Sequence, residues 1–190
     1  MVQHPTSPTF RSVQYPNEVS LEYSNAGFVV QGPLGSTRVD GSLLRRNLVS
    51  CSLCCISRTV KFTALQNTNE AHAAVGTLQR TLQAACVGVC EGVLKQLELV
   101  GVGYRASVTL DTPQILTLKL GMSHDCTYTL PLSVRCACPT PTTLTLVGVD
   151  EFEVGYVAAQ IVGFRLPDAY KGKGIRYSGS SVSLKEGKKK

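Results

Sequence analysis

The sequence predicts an α+β fold of two tandem domains with similar topology, each a small, mainly antiparallel sheet packed with a helix, plus a basic C-terminal extension. Both halves of the 190-residue chain place short β-rich segments before one stretch of helical periodicity. A glycine-containing run at residues 88–92 separates the halves. The predicted organisation is a tail at residues 1–10, domains at residues 11–90 and 91–177, and a basic tail at residues 178–190.

Short strands open the first half. Val19–Tyr23 and Phe28–Gln31 are predicted strands, because the turn-forming residues 24–27 join them into a hairpin. The Gly-Pro-Leu-Gly run at residues 32–35 is expected to break the chain. Residues 48–64 are rich in Val, Ile, Thr, Phe and Cys, which predicts further strands.

A helix is predicted to close the first half. Thr68 and Asn69 resemble an N-cap, and Glu70 places an acidic residue in the first turn. Apolar residues then recur at helical spacing, which predicts a helix to about Val87. The residues expected on its buried face are Ala71, Val75, Leu78, Leu82, Ala85 and Cys86.

The second half repeats this order of strands before a helix. Asp150 is a predicted N-cap, and Val154, Val157, Ala158, Ile161 and Val162 form one apolar face of the helix that follows. The predicted strands before it are Leu94–Val108, Ile115–Leu120, Cys126–Leu130, Ser133–Ala137 and Thr143–Val147. Gly101 and Gly103 indicate a bulge within the first of these, and Pro139 and Pro141 separate the last two.

Positive charge is confined to the end of the chain. Residues 1–162 hold eleven Lys or Arg and eleven Asp or Glu, whereas residues 163–190 hold eight and two, a difference equal to the whole-chain charge of +6. Clustered Lys and Arg gain affinity by releasing counterions from a phosphate backbone, so the asymmetry indicates a polyanionic partner. On charge alone, a solvated basic tail that aids solubility is an equal alternative.

The eight cysteines could suggest a metal or redox site. Cys51, Cys54 and Cys55 form a C-x-x-C-C cluster, and Cys136 and Cys138 form C-x-C. A zinc ribbon needs two pairs of similar spacing with turn residues between the ligands, whereas the intervening residues here suit strands. We therefore predict no metal site, no cofactor and reduced thiols. A Cys-based metal or redox protein is kept as the enzyme-class alternative.

Signatures of catalysis and membrane insertion are missing from the sequence. No nucleophile elbow or P-loop is present, so neither enzyme activity nor a small-molecule substrate is predicted. No run approaches the roughly eighteen apolar residues of a membrane span, and no membrane partner is expected. The first fifteen residues resemble neither a secretory signal nor an organellar transit peptide.

The end of the chain contains YKGKGIRY at Tyr170–Tyr177, followed by KEGKK at Lys185–Lys189. This segment resembles the C-terminal signature of the bacterial-type large-subunit ribosomal protein six family, and further motifs in the family's order extend the resemblance over about residues 10–189. Upstream, LELVGVGYRA at Leu97–Ala106 is similar to the strand that opens the family's second domain. GMSH at Gly121–His124 and GPLG at Gly32–Gly35 are similar to two of its loops.

The resemblance implies a structural constituent of the large ribosomal subunit. Its second domain would bind large-subunit rRNA near the factor-binding region and the sarcin–ricin loop, beside neighbouring ribosomal proteins. The chain departs from the family's pattern at Met122, at Ile161-Val162 and at Asp168-Ala169, and residues 42–57 match little. RNA contacts are therefore carried over only to the C-terminal segment.

The residue types of the C-terminal segment favour RNA binding independently of the family resemblance. Glycines on both sides of Lys173 would let backbone N–H groups approach phosphate oxygens. Lysine and arginine supply charge without a fixed base sequence, and tyrosines can stack on unpaired bases or pack the loop onto the domain. The predicted rRNA-binding residues are Arg165, Tyr170, Lys171, Gly172, Lys173, Gly174, Arg176, Tyr177, Lys185, Lys188 and Lys189.

The kind of RNA-binding protein and its cellular compartment each have alternatives. A non-ribosomal RNA-binding module is the alternative from the binding class of functions. The resemblance implies a ribosomal location. Because the family's bacterial members are poorer in cysteine and more basic, eight cysteines and a neutral body favour a mitochondrial ribosome over a plastid or bacterial one.

Overall fold

The computed structural model describes residues 10–24, 27–54, 56–109 and 111–186, with the side chains of all of these except residues 43 and 45. The chain divides into two compact units, Met1–Gly92 and Val93–Lys190. Each unit combines small antiparallel sheets with a long helix, which confirms the predicted α+β class with tandem sheet-plus-helix domains.

Two three-stranded sheets and the helix α2 make up the described part of the first unit. The sheets have the strand orders β1-β6-β5 and β2-β3-β4, and α2 packs on both. The elements are β1 (Phe10–Gln14), β2 (Ser20–Ser24), β3 (Gly27–Gly32), β4 (Gly35–Asp40), α1 (Ser42–Arg45), β5 (Val49–Cys54), β6 (Thr59–Ala64) and α2 (Asn69–Cys90).

The N-terminus and the buried face of α2 are those that the sequence predicts. The hydroxyl of Thr68 accepts a hydrogen bond from the backbone N–H of Ala71 at 3.3 Å, which satisfies one of the free donors of the first turn. The six predicted apolar positions are all buried. The helix continues past the predicted end because Val89 is also buried, and its carbonyl accepts from the N–H of Leu34 at 3.0 Å.

The second unit contains a four-stranded and a three-stranded sheet, with the orders β11-β12-β7-β13 and β10-β9-β8. The helix α3 lies on the four-stranded sheet, and both sheets share one apolar core with it. The elements are β7 (Val93–Val100), β8 (Arg105–Val108), β9 (Ile115–Lys119), β10 (Cys126–Thr129), β11 (Val134–Thr140), β12 (Thr143–Gly148), α3 (Glu151–Phe164) and β13 (Gly174–Tyr177).

The two units share one strand topology, and β13 is the addition. In each unit the first strand pairs with the sixth, the sixth pairs with the fifth, and strands two to four form a separate sheet. The helix follows the sixth strand in both. In the second unit, β13 then pairs with the outer edge of β7, from Gly174 opposite Val100 to Tyr177 opposite Leu97. The described part of the first unit has no equivalent of this strand.

The predicted strand Leu94–Val108 is wrong in one respect, because it is two strands in different sheets. The chain turns between β7 and β8, where the N–H of Tyr104 donates to the carbonyl of Gly101 at 3.3 Å. Gly103 has a φ of +78°, a conformation that favours glycine. The ring of Tyr104 lies where a side chain on Gly101 would be, at 2.8 Å from the position of a Cβ. The glycines therefore make a tight turn and not a bulge.

Other boundaries differ where pairing overrides local pattern. Sequence periodicity did not indicate β1 and β4, in which Val13 and Val39 are the buried residues. Residues 32–35 do not break the sheet but form the turn between β3 and β4. Pro139 lies inside β11, where the register shifts between Ala137 and Thr140. An edge strand with an irregularity tolerates a residue that lacks an N–H.

Candidate nucleic-acid interface

The predicted RNA-binding segment is a loop held at both ends by the second unit. Residues 165–173, which we call the basic loop, lead from the end of α3 to β13. The carbonyl of Arg165 accepts from the N–H of Ile175 at 2.8 Å, which closes the loop across its base. Ile175 is fully buried in the core, so the strand that follows the loop is anchored by packing as well as by hydrogen bonds.

Asp168 organises the interior of the basic loop. Its carboxylate accepts from the N–H of Lys171 at 3.1 Å, and its carbonyl accepts from the N–H of Gly172 at 3.0 Å. Its own N–H donates to the carbonyl of Lys173 at 2.9 Å. An aspartate that bonds the backbone two or three residues ahead is a recurrent way to fix a turn. The basic loop is therefore ordered by its own contacts.

Gly172 and Gly174, the glycines on either side of Lys173, have different structural roles. Gly172 has a φ of +66°, and a Cβ there would meet the methyl group of Leu184 at 3.3 Å. Gly174 has a φ of +152°, and a Cβ there would lie 2.6 Å from the carbonyl oxygen of Leu166 and 2.7 Å from the backbone of Pro167. Gly174 is thus required for close packing of β13 against its own chain, a role that the sequence interpretation did not foresee.

Arg176 differs from the other predicted contacts because its charge is already paired. It stands directly opposite Glu98 on β7, and its Nη2 and Nε atoms lie 3.2 and 3.3 Å from Glu98 Oε2. The hydroxyl of Ser178 donates to Glu98 Oε1 at 2.8 Å. The Ser178 hydroxyl and then the Arg176 guanidinium hold the pKa of Glu98 below its usual range. Sequence reasoning missed Glu98 and Ser178, because no local signal links residues so far apart.

Apart from the two glycines, the other described members of the predicted set are exposed. The side chains of Tyr170 and Tyr177 are 61% and 38% exposed. The backbone N–H of Lys185 donates to the carbonyl of Ala169 at 2.8 Å, so the chain after β13 returns to the loop. Arg165, Lys171, Lys173 and Lys185 are exposed and form no ion pair with a described residue. Lys188 and Lys189 lie outside the described residues.

The cysteines are distributed over several elements. Cys51 and Cys54 lie on β5, and Cys55 is outside the described residues. Burial raises the pKa of Cys86 to about 11 and that of Cys136 to about 12, whereas hydrogen bonds from Ser57 lower the pKa of Cys54. Across the described ranges, no three His, Cys, Asp or Glu side chains are grouped so that they could hold a metal ion.

Among the described residues, no helix is both long enough and apolar enough to cross a bilayer.

Known proteins match both the region that contains the basic loop and nearly the whole chain. The family described as Ribosomal protein L6 matches residues 100–178, which include β13 and the basic loop. The chain is 40% identical to large ribosomal subunit protein uL6 of Halorhodospira halophila, over 94% of this chain and 96% of the relative. It is 37% identical to uL6 of Ralstonia pickettii over the same shares of the two chains. A 45% identity to uL6 of Shewanella frigidimarina covers 69% of this chain and 72% of that relative. The chain therefore belongs to the uL6 family of large ribosomal subunit proteins, structural components of the ribosome and not enzymes.

Proposed function

We propose that this ribosomal protein binds large-subunit rRNA through the basic loop and the C-terminal segment that returns to it. The single observation that carries the proposal is the convergence of Lys171, Lys173 and Lys185 on one ordered loop, without an ion pair to any described carboxylate. Exposed cations held close together attract phosphates more strongly than the same charges spread over a flexible chain. The first unit, by contrast, is not proposed to contact RNA.

The order of the basic loop adds to this argument. Binding by a flexible tail would cost the conformational entropy of each residue that becomes fixed. Here the contacts of Asp168 and the closure between Arg165 and Ile175 have already fixed the backbone. Less entropy is then lost on binding, so more of the electrostatic attraction appears as affinity.

The tyrosines at the two ends of the segment provide contacts that charge alone does not. Tyr170 is 61% exposed, and the described residues include no aromatic ring paired with it. An exposed phenol ring can stack on an unpaired base, and its hydroxyl can bond a ribose 2′-OH. Tyr177 ends β13 and is less exposed, which favours a role in holding the segment to the sheet.

The position on the ribosome follows from the family resemblance. We infer that the segment lies near the factor-binding region and the sarcin–ricin loop, with neighbouring ribosomal proteins beside it. Crosslinking of Tyr170, replaced by a photoreactive analogue, to rRNA in purified ribosomes tests this directly. Crosslinks confined to other rRNA regions, or to proteins alone, would contradict the location.

Salt dependence tests the electrostatic part of the proposal. Substitution is preferable to deletion from Lys171 onward, because such a deletion would remove Ile175 from the core. Binding of the full chain to a transcript that carries the sarcin–ricin loop should weaken with salt, with a log–log slope of roughly −3 to −5 for four to six phosphates. Lys171→Gln and Lys173→Gln should each make the slope shallower by about 0.7 to 0.9.

A matched control uses an exposed lysine of the first unit. Lys61 lies on β6 with its side chain in solvent, so Lys61→Gln removes one charge from the first unit and leaves the basic loop unchanged. Its slope should equal that of the unsubstituted protein. If Lys61→Gln reduced the slope as much as Lys173→Gln, binding would depend on total charge and not on the basic loop.

We further propose that the ribosome concerned is mitochondrial. Support comes from the eight cysteines and from a charge balance of zero over residues 1–162, since the family's bacterial members are poorer in cysteine and more basic. The relatives named above are bacterial, so this proposal rests on composition. Fractionation of source cells with antibodies against the chain is the test. Recovery of the protein in plastid or bacterial cytoplasmic ribosomes would overturn it.

A further inference from the structure

One predicted rRNA contact, Arg176, is also part of an ion pair within the second unit. Arg176 donates two hydrogen bonds to Glu98 Oε2, at 3.2 and 3.3 Å, and both side chains are about one-third exposed. Ser178 donates to the second oxygen of the same carboxylate at 2.8 Å. Glu98 thus accepts from one residue within β13 and from another directly after it. A third contact, from the N–H of Ser178 to the carbonyl of Gln96 at 2.9 Å, joins the same two stretches of chain.

We propose that Glu98 is a positioning residue for rRNA binding, which holds Arg176 and Ser178 and thereby sets the basic loop. Arg176 then acts inside the protein and is not a phosphate ligand. This inference rests on the proposed function, because it concerns how the same loop is presented to RNA. It also revises the set of contacts that the family resemblance implies.

The location of β13 explains why the hydrogen bonds from Arg176 and Ser178 to Glu98 are needed. The strand has four residues and lies at the edge of its sheet, paired with β7 on one side. The described residues of the first unit include no equivalent strand, and the basic loop connects β13 to α3. A short edge strand has few ladder hydrogen bonds, so the charge-assisted bonds to Glu98 add to the attachment that the buried Ile175 provides. Any loosening of β13 is passed directly to Lys173, the residue before it.

A carboxylate near an RNA-binding loop makes two opposite predictions possible. If Glu98 has no positioning role, it only repels phosphates, and its neutralisation should tighten RNA binding. If Glu98 positions the loop, the same neutralisation should weaken binding although the net charge of the protein becomes more positive. The sign of the effect therefore separates the two roles, whatever its size.

Glu98→Gln, Arg176→Gln and the double variant test the inference with the full chain and the sarcin–ricin transcript. Glu98→Gln should weaken binding by roughly two- to fivefold, in line with a partly exposed ion pair. Arg176→Gln should weaken it by a similar factor, with a salt slope equal to that of the unsubstituted protein. The double variant should be no weaker than either single one, because both remove the same contact.

The charge-reversed pair Glu98→Arg with Arg176→Glu provides a rescue. It restores an ion pair across the same register position, so it should bind more tightly than either single reversal. Amide exchange at Ile175 monitors the fold, since that N–H closes the loop to Arg165. If a variant loses all protection at this amide, Ser178→Ala takes its place in the binding assay. Ser178→Ala removes one hydrogen bond to Glu98 and keeps Arg176 in place.

The outcomes also distinguish this inference from the function it refines. Unchanged slopes in Lys171→Gln and Lys173→Gln would remove the proposed function itself. Shallower slopes in those variants, together with tighter binding by Glu98→Gln, would keep rRNA binding and refute the positioning role. A slope reduced by about 0.7 to 0.9 in Arg176→Gln would likewise refute it, because it would show that Arg176 contacts a phosphate.

Discussion

Gly174 is the position where a single added methyl group should most clearly test the geometry of the second unit. In Gly174→Ala, the Cβ would lie 2.6 Å from the carbonyl oxygen of Leu166 and 2.7 Å from the Cα and N atoms of Pro167. All three are backbone atoms, which cannot rotate away. The φ of +152° adds strain, because L-residues rarely adopt it.

The loss of unfolding free energy in Gly174→Ala cannot exceed the cost of detaching β13 from the sheet. Strain at positive φ costs about 1–3 kcal/mol, and an overpacked methyl group costs a further 1–3 kcal/mol. The chain can escape this cost by detaching β13, which exposes the fully buried Ile175 and forfeits about 2–3 kcal/mol of apolar burial. We therefore expect Gly174→Ala to lower the free energy of unfolding by about 2–3 kcal/mol, or to release β13.

Urea denaturation and amide exchange measure the two outcomes. A loss of unfolding free energy appears in the urea midpoint. Release of β13 appears as fast exchange at Ile175 and Ser178, whose N–H groups bond to Arg165 and Gln96. Gly179→Ala is the matched control, since Gly179 has a φ of +79° but no atom within 4 Å of a built Cβ. Its expected cost is about 1 kcal/mol.

Two results would contradict the reasoning about Gly174. If Gly174→Ala kept the stability and the slow exchange of the unsubstituted protein, the close approach of β13 to residues 166–167 would be wrong. If the control were destabilised as much as Gly174→Ala, positive φ alone would explain the loss, and the contact with Leu166 would have no measurable role.

Three further predictions concern the core, the thiols and pH. Ile175→Ala should lower the free energy of unfolding by about 2–3 kcal/mol in urea, the cost of releasing β13, and a smaller change would mean that Ile175 is not a core residue. At about pH 8, iodoacetamide should label Cys54, whose pKa is lowered, and spare Cys136, whose pKa burial raises to about 12; equal rates would contradict that burial. Because the pKa of Glu98 is depressed in the folded state, its contacts stabilise β13 at neutral pH and are lost as the pH falls through that folded pKa. The protection of the Ser178 amide, taken relative to its intrinsic exchange rate at each pH, should therefore fall on acidification in the unsubstituted protein and stay constant in Glu98→Gln.

Local sequence was sufficient for the two long helices. A capping residue and an apolar period act within a few residues of each other, so Thr68 and Asp150 correctly mark the starts of α2 and α3. The motifs around the basic loop were also sufficient for the family, because order and spacing along the chain are properties of the sequence alone.

The tertiary structure alone decided how the end of the chain is used. Beyond Phe164 the sequence is polar, basic and glycine-rich, and nothing local distinguishes a tail from a strand. Whether Ile175 is buried depends on an open edge of β7, and whether Arg176 is free depends on Glu98, 78 residues earlier. Strand pairing and ion pairs join residues that are distant in the chain. Their energies depend on the folded positions of both partners, so the sequence of either partner by itself does not contain them.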